Sequence, residues 1–108
     1  VKRDESFGPI LMFGLGGIFA EVFQDVSFRI APLMPFDAAE MIRETKVYPL
    51  LRGIRGQTPC DIEALEKLLL SVSRLVMENR EIKELDLNPV RVFKEGLLVL
   101  DARMGVFI

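Results

Sequence analysis

The sequence predicts an α+β fold in which a mostly antiparallel sheet packs with two main helices. Strand-like segments occur in two groups, over residues 9–30 and 82–100, and a helical stretch over residues 37–79 separates them. Strands that are grouped, rather than alternating one by one with helices, favour antiparallel pairing. The 108 residues, 50% of them hydrophobic, suffice for one domain with its own core.

Three strand-like segments make up the first group. Residues 9–13 are a short apolar run that ends in the glycine-rich sequence of residues 14–17, and residues 18–23 form a second run. Over residues 26–30 apolar and polar side chains alternate, the pattern of a strand with one buried face. Two prolines follow and end the third strand.

The first main helix is predicted to run from Asp37 to about Thr45. Asp37 is an N-cap acceptor, and Glu40 three residues later completes a capping-box pattern. A short helical turn then follows over residues 48–53 and ends at its glycine.

The second main helix, from about Pro59 to Asn79, has the strongest pattern. Thr58 offers the cap, Pro59 occupies the first helical position, and Asp61 supplies an acid three residues after the cap. Apolar residues then recur at steps of three and four, which predicts one buried stripe: Ile62, Leu65, Leu69, Val72 and Val76.

The second group of strands ends in a hairpin. Residues 82–87 alternate before Asn88-Pro89, and residues 90–93 and 97–100 flank a Lys-Glu-Gly turn. We expect these last two segments to be antiparallel partners.

The composition excludes several classes of protein. Fourteen Lys and Arg against sixteen Asp and Glu give a net charge of −2, without the basic excess that nucleic-acid binding uses. No apolar run approaches the roughly 20 residues of a membrane-spanning helix, and the N-terminus lacks the apolar segment of a signal peptide. We therefore expect neither nucleic acid nor a membrane as a partner.

Two residue types narrow the chemistry further. The single cysteine, Cys60, excludes an internal disulfide and a multi-cysteine zinc site, and it favours a reducing, cytoplasmic setting. Because the chain has no histidine, it supplies no imidazole base, nucleophile or metal ligand. The chain starts without Met, and we expect it to be a segment of a longer polypeptide.

The glycine-rich sequence is one candidate site. Gly16 and Gly17 carry no side chain, so their amides can approach a phosphate closely. The sequence is neither a Walker loop, since no Gly-Lys-Ser/Thr follows, nor a dinucleotide fingerprint, since Phe19 stands where a glycine is needed. A plain turn between two strands is the alternative.

Three oxygen-bearing side chains form a second candidate site. Asp86 and Asn88 precede the predicted hairpin and Asp101 follows it. Oxygen ligands suit Mg²⁺, which usually takes one or two protein carboxylates together with substrate phosphates. If the hairpin loop has an even number of residues, we expect Val90 to lie opposite Asp101 and the three candidates to share a face with it. The alternative is that these residues merely terminate strands.

Other polar residues have a functional and a structural interpretation. Arg55 lies between glycines in Arg52-Gly53-Ile54-Arg55-Gly56 and can bind a phosphate or carboxylate, or be an ordinary surface charge. Glu21 stands alone among apolar neighbours, either on a solvent face or as a functional carboxylate. We interpret Cys60 as structural.

The sequence resembles the ATP-grasp domain of ADP-forming acetyl-CoA synthetases, also called NDP-forming acyl-CoA synthetases. The resemblance covers nearly the whole chain, and succinyl-CoA synthetase β-subunits are more distantly similar. The motifs that carry it are, in order, Phe7-Gly8-Pro9, Gly14-Leu15-Gly16-Gly17 with Glu21 and Asp25-Val26, Ala31-Pro32-Leu33, Leu51-Arg52-Gly53-Ile54-Arg55-Gly56, Glu84-Leu85-Asp86-Leu87-Asn88-Pro89-Val90 and Asp101-Ala102-Arg103.

The resemblance implies a thioester ligase that uses Mg²⁺ and ATP or ADP. Such enzymes interconvert acyl-CoA, ADP and phosphate with free acid, CoA and ATP through an acyl phosphate and a phosphohistidine. By position, Asn88 and Asp101 match Mg²⁺ ligands, and Asp86 matches an acidic residue that steadies the phosphohistidine near the nucleotide. The match is looser for three further residues, which would contribute to the nucleotide or phosphate cleft: Gly16, Gly17 and Arg55.

The resemblance also implies partners. With no histidine in this chain, the phosphorylated residue belongs to a CoA-binding domain or subunit. The usual ATP-grasp lysine and adenine-binding residues would precede Val1, so we expect the chain to be the C-terminal half of the domain, with its N-terminal half as a further partner. The alternatives are a succinyl-CoA synthetase-like or other ATP-grasp ligase, and a non-catalytic domain that assembles subunits.

Overall fold

The structure, a computed structural model, describes residues 1–15 and 25–108. The predicted second apolar run, and with it Gly16, Gly17 and Glu21, lies outside the described residues. The described elements are the strands β1 (Lys2–Asp4), β2 (Gly8–Gly14), β3 (Val26–Ile30), β4 (Ile82–Leu87), β5 (Val90–Val92), β6 (Leu97–Val99) and β7 (Ala102–Val106), and the helices α1 (Pro35–Arg43), α2 (Tyr48–Leu51) and α3 (Ile62–Glu78).

Five of these strands form one sheet in the order β3-β2-β1-β4-β7, and β5 pairs with β6 in a second, two-stranded sheet. Every pair of neighbours in both sheets is antiparallel. The predicted α+β class with a mostly antiparallel sheet is therefore confirmed. The helices among residues 1–15 and 25–108 are all too short or too polar to cross a bilayer.

The core lies between α3, α1 and the sheet, and it follows the predicted apolar stripe. Leu65, Leu69, Val72 and Val76 of α3 are buried, and Leu69 is only 7% exposed. They form one hydrophobic cluster with buried side chains of the sheet and of α1: Leu11, Ile82, Leu85, Ala38, Met41 and Ile42.

The first main helix begins earlier than predicted. Met34 is the residue before the helix and Pro35 is its first residue, because a proline needs no N–H partner and its fixed φ suits that position. Asp37 is therefore not the cap. It lies in the first turn, where its carboxylate accepts a hydrogen bond from the Met34 amide at 2.7 Å, and the helix ends at Arg43 rather than Thr45.

The second main helix begins later than predicted. Its N-cap is Asp61, whose carboxylate accepts from the Ala64 amide at 3.0 Å. Thr58 and Pro59 lie before the helix, and Asp61 itself has non-helical backbone angles, φ −78° and ψ 81°. The Cys60 amide donates to the Leu51 carbonyl at 2.8 Å, and the Asp61 amide donates to the Phe93 carbonyl at 2.7 Å. These bonds tie the segment before α3 to the end of α2 and to residue 93.

The central strand of the five, β1, has no counterpart in the sequence-based prediction. It lies between β2 and β4 although it is short and polar. Its Arg3 side chain donates to the carbonyls of Val76 at 2.7 Å and Asn79 at 3.0 Å, at the C-terminal end of α3, and to the carbonyl of Ile82. Arg3 thus supplies donors to carbonyls that the end of a helix leaves unpaired.

Candidate functional site

The two sheets share one long hairpin, residues 82–106. In the five-stranded sheet Leu87 of β4 pairs with Ala102 of β7. In the two-stranded sheet Val90 of β5 pairs with Val99 of β6. Both pairings belong to the same register, so the strands run on from one sheet into the other. We call residues 82–87 with 102–106 the base of the hairpin, and residues 90–99 its outer ribbon.

The candidate metal ligands face each other where the base meets the outer ribbon. The Asn88 amide donates to the Asp101 carbonyl at 3.0 Å, and beside it the Leu100 amide donates to the Pro89 carbonyl at 2.9 Å. Asn88 and Asp101, which lie 13 positions apart in the sequence, are therefore direct neighbours across the hairpin.

This register corrects one prediction. The turn at the tip has four residues, 93–96, an even number as assumed, but Asp101 lies opposite Asn88 and not opposite Val90. The reason is the position of the turn, which is centred between Lys94 and Glu95, where the Phe93 amide donates to the Gly96 carbonyl at 3.0 Å. A turn centred one residue later, between Glu95 and Gly96, would have placed Val90 opposite Asp101.

Asp86 lies close to this pair and brings in a residue that the sequence analysis did not assign. Asp86 pairs across the hairpin with Arg103. The Nε atom of Arg103 is 3.5 Å from the Oδ2 atom of Asp101. Arg103 thus lies beside both candidate carboxylates, and its position two residues after Asp101 was the available signal. The ion pair is largely exposed, so it contributes at most about 1 kcal/mol.

A cavity of about 510 Å³ opens next to the hairpin. Among the described residues, the cavity wall includes Leu15 and Val26, which lie on either side of residues 16–24. The cavity volume falls in the range of about 300–1,000 Å³ that small-molecule sites occupy. Most of its lining is apolar and comes from β2, α3 and β4, whereas polar side chains are supplied by Asp86, Asn88 and Arg91.

Asp101 and Arg55 are not among the residues that line this cavity. Arg55 lies in an exposed loop, residues 52–59, whose flanking residues Leu51 and Cys60 do line it. Arg55 has a positive φ of 51°, which is uncommon and unfavourable for a residue other than glycine. The cavity therefore brings Asp86 together with Asn88, and the hairpin register brings Asn88 together with Asp101.

The loop of Arg55 depends on one glycine. Gly53 has a φ of 83°, and a Cβ atom there would lie 2.5 Å from the Gln57 carbonyl oxygen and 3.1 Å from the Pro59 nitrogen. Only glycine fits such a position without a backbone shift. The loop is thus a specified conformation rather than a variable surface segment.

The donor set fits a metal ion that is shared with a phosphate ligand. Within residues 1–15 and 25–108 no group of three or more Cys, Asp or Glu side chains is placed to hold a metal. Asn88 and Asp101, whose backbones pair across the hairpin, offer one side-chain amide oxygen and one carboxylate. Mg²⁺ typically uses one or two such protein groups and fills its remaining positions with water and phosphate oxygens.

The comparisons with a family model and with curated proteins agree with each other. A family model described as an ATP-grasp domain matches residues 1–106. The chain is 55% identical over 104 residues to an acetate–CoA ligase [ADP-forming] I of Archaeoglobus fulgidus and 53% identical over 102 residues to the beta subunit of an acetate–CoA ligase [ADP-forming] I of Pyrococcus furiosus. These alignments cover 96% and 94% of this chain.

A solved structure is similar at the level of the fold. It is the acetyl-coenzyme A synthetase 1 of Ca. Korarchaeum cryptofilum in complex with coenzyme A and Mg-AMPPCP, with its phosphohistidine segment pointing towards the nucleotide binding site. The TM-score is 0.94 at 53% identity, over 98% of this chain. This chain spans 15% and 44% of the two curated relatives and 50% of the solved chain.

Proposed function

We propose, since this chain belongs to the ATP-grasp domain family, that it is the C-terminal half of the ATP-grasp domain of an ADP-forming acyl-CoA synthetase, with acetate as its first candidate acid. The observation that carries this proposal is the identity of 53–55% to ADP-forming acetate–CoA ligases over nearly the whole chain. The neighbouring positions of Asn88 and Asp101 support it independently.

The proposed reaction moves a phosphoryl group between ADP or ATP and a histidine. The chain has no histidine, so the acceptor is a residue of a CoA-binding domain or subunit. Two comparisons support this division: one relative is a beta subunit, and the solved relative has a phosphohistidine segment that points towards its nucleotide site. The N-terminal half of the domain is the other required partner, and we expect no turnover by this chain alone.

Each candidate residue has a distinct proposed part. Asn88 and Asp101 hold Mg²⁺ together with the nucleotide phosphates, and the bound ion neutralises phosphate charge during the transfer. Asp86 accepts a hydrogen bond from the incoming imidazole and so orients it. Gly16, Gly17 and Arg55 bind phosphate or nucleotide groups, a role that rests on the resemblance alone. The cytoplasm, where a lone cysteine stays reduced, is the proposed compartment.

A second candidate is an ADP-forming ligase for another acid. The chain is 44% identical over 107 residues to a 4-hydroxybutyrate–CoA ligase [ADP-forming] of Nitrosopumilus maritimus. The nucleotide half of the reaction is common to both candidates, so the acid would be chosen elsewhere in the enzyme. A non-catalytic assembly domain is disfavoured because Asp86, Asn88 and Asp101 are all present.

The test uses the full-length synthetase that contains this chain. Asp101→Asn keeps the shape of the side chain but removes its charge, and we expect at least about a tenfold loss in the rate of histidine phosphorylation by Mg-ATP. The concentration of Mg²⁺ needed for half the maximal rate should rise with it. Glu95→Gln, the same change of charge in the turn of the same hairpin, is the matched control. An Asp101→Asn enzyme with unchanged rate and Mg²⁺ requirement would refute the proposal.

A further inference from the structure

Asp61 ties the start of α3 to the tip of the outer ribbon. Its Oδ2 atom accepts a hydrogen bond from the Gly96 amide at 2.7 Å, and its own amide donates to the Phe93 carbonyl at 2.7 Å. Its Oδ1 atom caps the helix by accepting from Ala64 at 3.0 Å. One side chain thus joins two elements that are 35 residues apart.

These contacts matter because the outer ribbon has few other attachments. In the described residues β5 and β6 pair only with each other, whereas β4 pairs with β1 on one side and β7 on the other. Partly buried side chains of the ribbon pack on the core: Val90, Val92 and Leu97. At the end of the ribbon that is far from the five-stranded sheet, the two hydrogen bonds to Asp61 attach the ribbon to the start of α3.

Asn88 and Asp101 lie at the joint between this ribbon and the base. The regular pairing of the base ends at Leu87 and Ala102, and that of the ribbon begins at Val90 and Val99. A displacement of the tip therefore turns the strands about the joint, and it changes the direction in which the side chains at the joint face. A metal site needs its ligands within a few tenths of an ångström of the required positions.

We propose that Asp61 is a positioning residue for the metal site: by holding the tip of the outer ribbon against α3, it sets the direction of the two strands at the joint and so the orientation of the Asn88 and Asp101 side chains. The inference rests on the proposed function and adds a residue that touches neither metal nor nucleotide. The two amides that donate to the carboxylate also hold the pKa of Asp61 below its ordinary value, so the side chain is the charged acceptor at neutral pH.

The helix-capping and ribbon-holding parts of Asp61 are separable. Serine is as good an N-cap as aspartate, but its single hydroxyl cannot also reach the second acceptor position, so Asp61→Ser keeps the cap and loses the Gly96 bond. Asp61→Asn retains one acceptor oxygen and places an amide group where the other oxygen was. A matched control is Asp4→Asn, because the Asp4 carboxylate likewise accepts from two amides, of Ser6 and Phe7, in a turn between β1 and β2.

The experiment measures ADP binding to the full-length synthetase by calorimetry, with Mg²⁺ and with chelator. The readout is the dissociation constant measured with chelator divided by the dissociation constant measured with Mg²⁺. A general loss of stability does not change this ratio. We expect Asp61→Ser and Asp61→Asn to lower this ratio by about three- to tenfold, less than the roughly 10–100-fold typical of groups bonded directly to a metal ligand. Asp4→Asn should leave it unchanged. Hydrogen exchange at the Gly96 amide, which should quicken in both Asp61 variants, reports whether the tip has been released.

The outcomes separate this inference from the proposed function. A wild-type ratio in Asp61→Ser with a rapidly exchanging Gly96 amide would overturn the positioning role, and so would a Gly96 amide that stays protected. In both cases a reduced ratio in Asp101→Asn leaves the proposed function standing. A wild-type ratio in Asp101→Asn as well would overturn both.

Discussion

The base and the outer ribbon of the long hairpin belong to one pair of strands, but they are held in place differently. In the base, Ile82 and Leu85 are buried, with 4% and 6% exposure, in the core cluster that they share with α3 and α1. The outer ribbon buries none of its side chains to that extent, and its exposed face carries Leu98 at 52% exposure. Apolar packing fixes the base, whereas partial packing and the bonds to Asp61 fix the ribbon.

The difference separates the part of this hairpin on which stability depends from the part that bears on the proposed metal site. A change in the base disturbs the core on which the fold depends. A change at the tip of the ribbon disturbs mainly the direction of the strands as they leave the sheet. Asn88 and Asp101, at the joint, depend on both.

The largest effect on stability is expected for Leu85→Ala in the base. Truncating a buried leucine removes its apolar contacts and leaves a cavity, so the free energy of unfolding should fall by about 2–5 kcal/mol. Urea unfolding followed by circular dichroism measures it. A loss below about 1 kcal/mol would show that the base is not fixed by packing in the core cluster.

The next effect is on stability at low pH, and it arises from Asp61 at the tip of the ribbon. The amides of Gly96 and then Ala64 lower the pKa of Asp61 in the folded chain. A carboxyl group with a lowered pKa contributes stability above its ordinary pKa, and this contribution is lost as the pH falls through the folded pKa. Below about pH 4, the stability of the wild-type chain should therefore fall more steeply than that of Asp61→Asn. Urea unfolding at a series of pH values tests this, and parallel curves for the two chains would contradict it.

The smallest effect is expected for Leu98→Ala, the same substitution as in the base but on the exposed face of the ribbon. Its free energy of unfolding should stay within about 0.5 kcal/mol of wild type. Urea unfolding of this chain compares the two leucines directly. Equal losses at Leu85 and Leu98 would remove the distinction between base and ribbon.

The parts of the fold that could be predicted are those in which burial follows a local period. The stripe of α3 is an example: Leu65, Leu69, Val72 and Val76 recur at helical spacing, and all four are buried. The helix starts were less predictable. The segment before α3 is bonded through the Cys60 amide to Leu51 and through the Asp61 amide to Phe93, and no local sequence pattern reports such bonds.

The strand β1 shows the same limit. Lys2, Arg3 and Asp4 have no apolar alternation, and β1 is held by main-chain pairing and by the Arg3 side chain at the end of α3. Such long-range polar bonds leave no periodic signal in the sequence.

The register of the candidate site could not be predicted from the sequence. Asp86, Asn88 and Asp101 were proposed from their chemistry and from the family resemblance, and their roles stay predictions. The position of the turn decided which residue faced Asp101, and a Lys-Glu-Gly sequence does not fix where the turn is centred. Asp61 was not assigned from the sequence because the Gly96 amide that donates to it lies 35 residues away. Arg103 was not assigned although its ion-pair partner, Asp101, is only two residues before it.

The central place of β1 also sets an order of assembly. β1 pairs with β2 across a short turn, but its other neighbour is β4, where Lys2 meets Glu84. At a synthesis rate of about 5–20 residues per second, Glu84 emerges roughly 4–16 s after Lys2. During that interval β2 is available to pair with β1 and β4 is not. The two neighbours of the central strand are thus synthesised at different times.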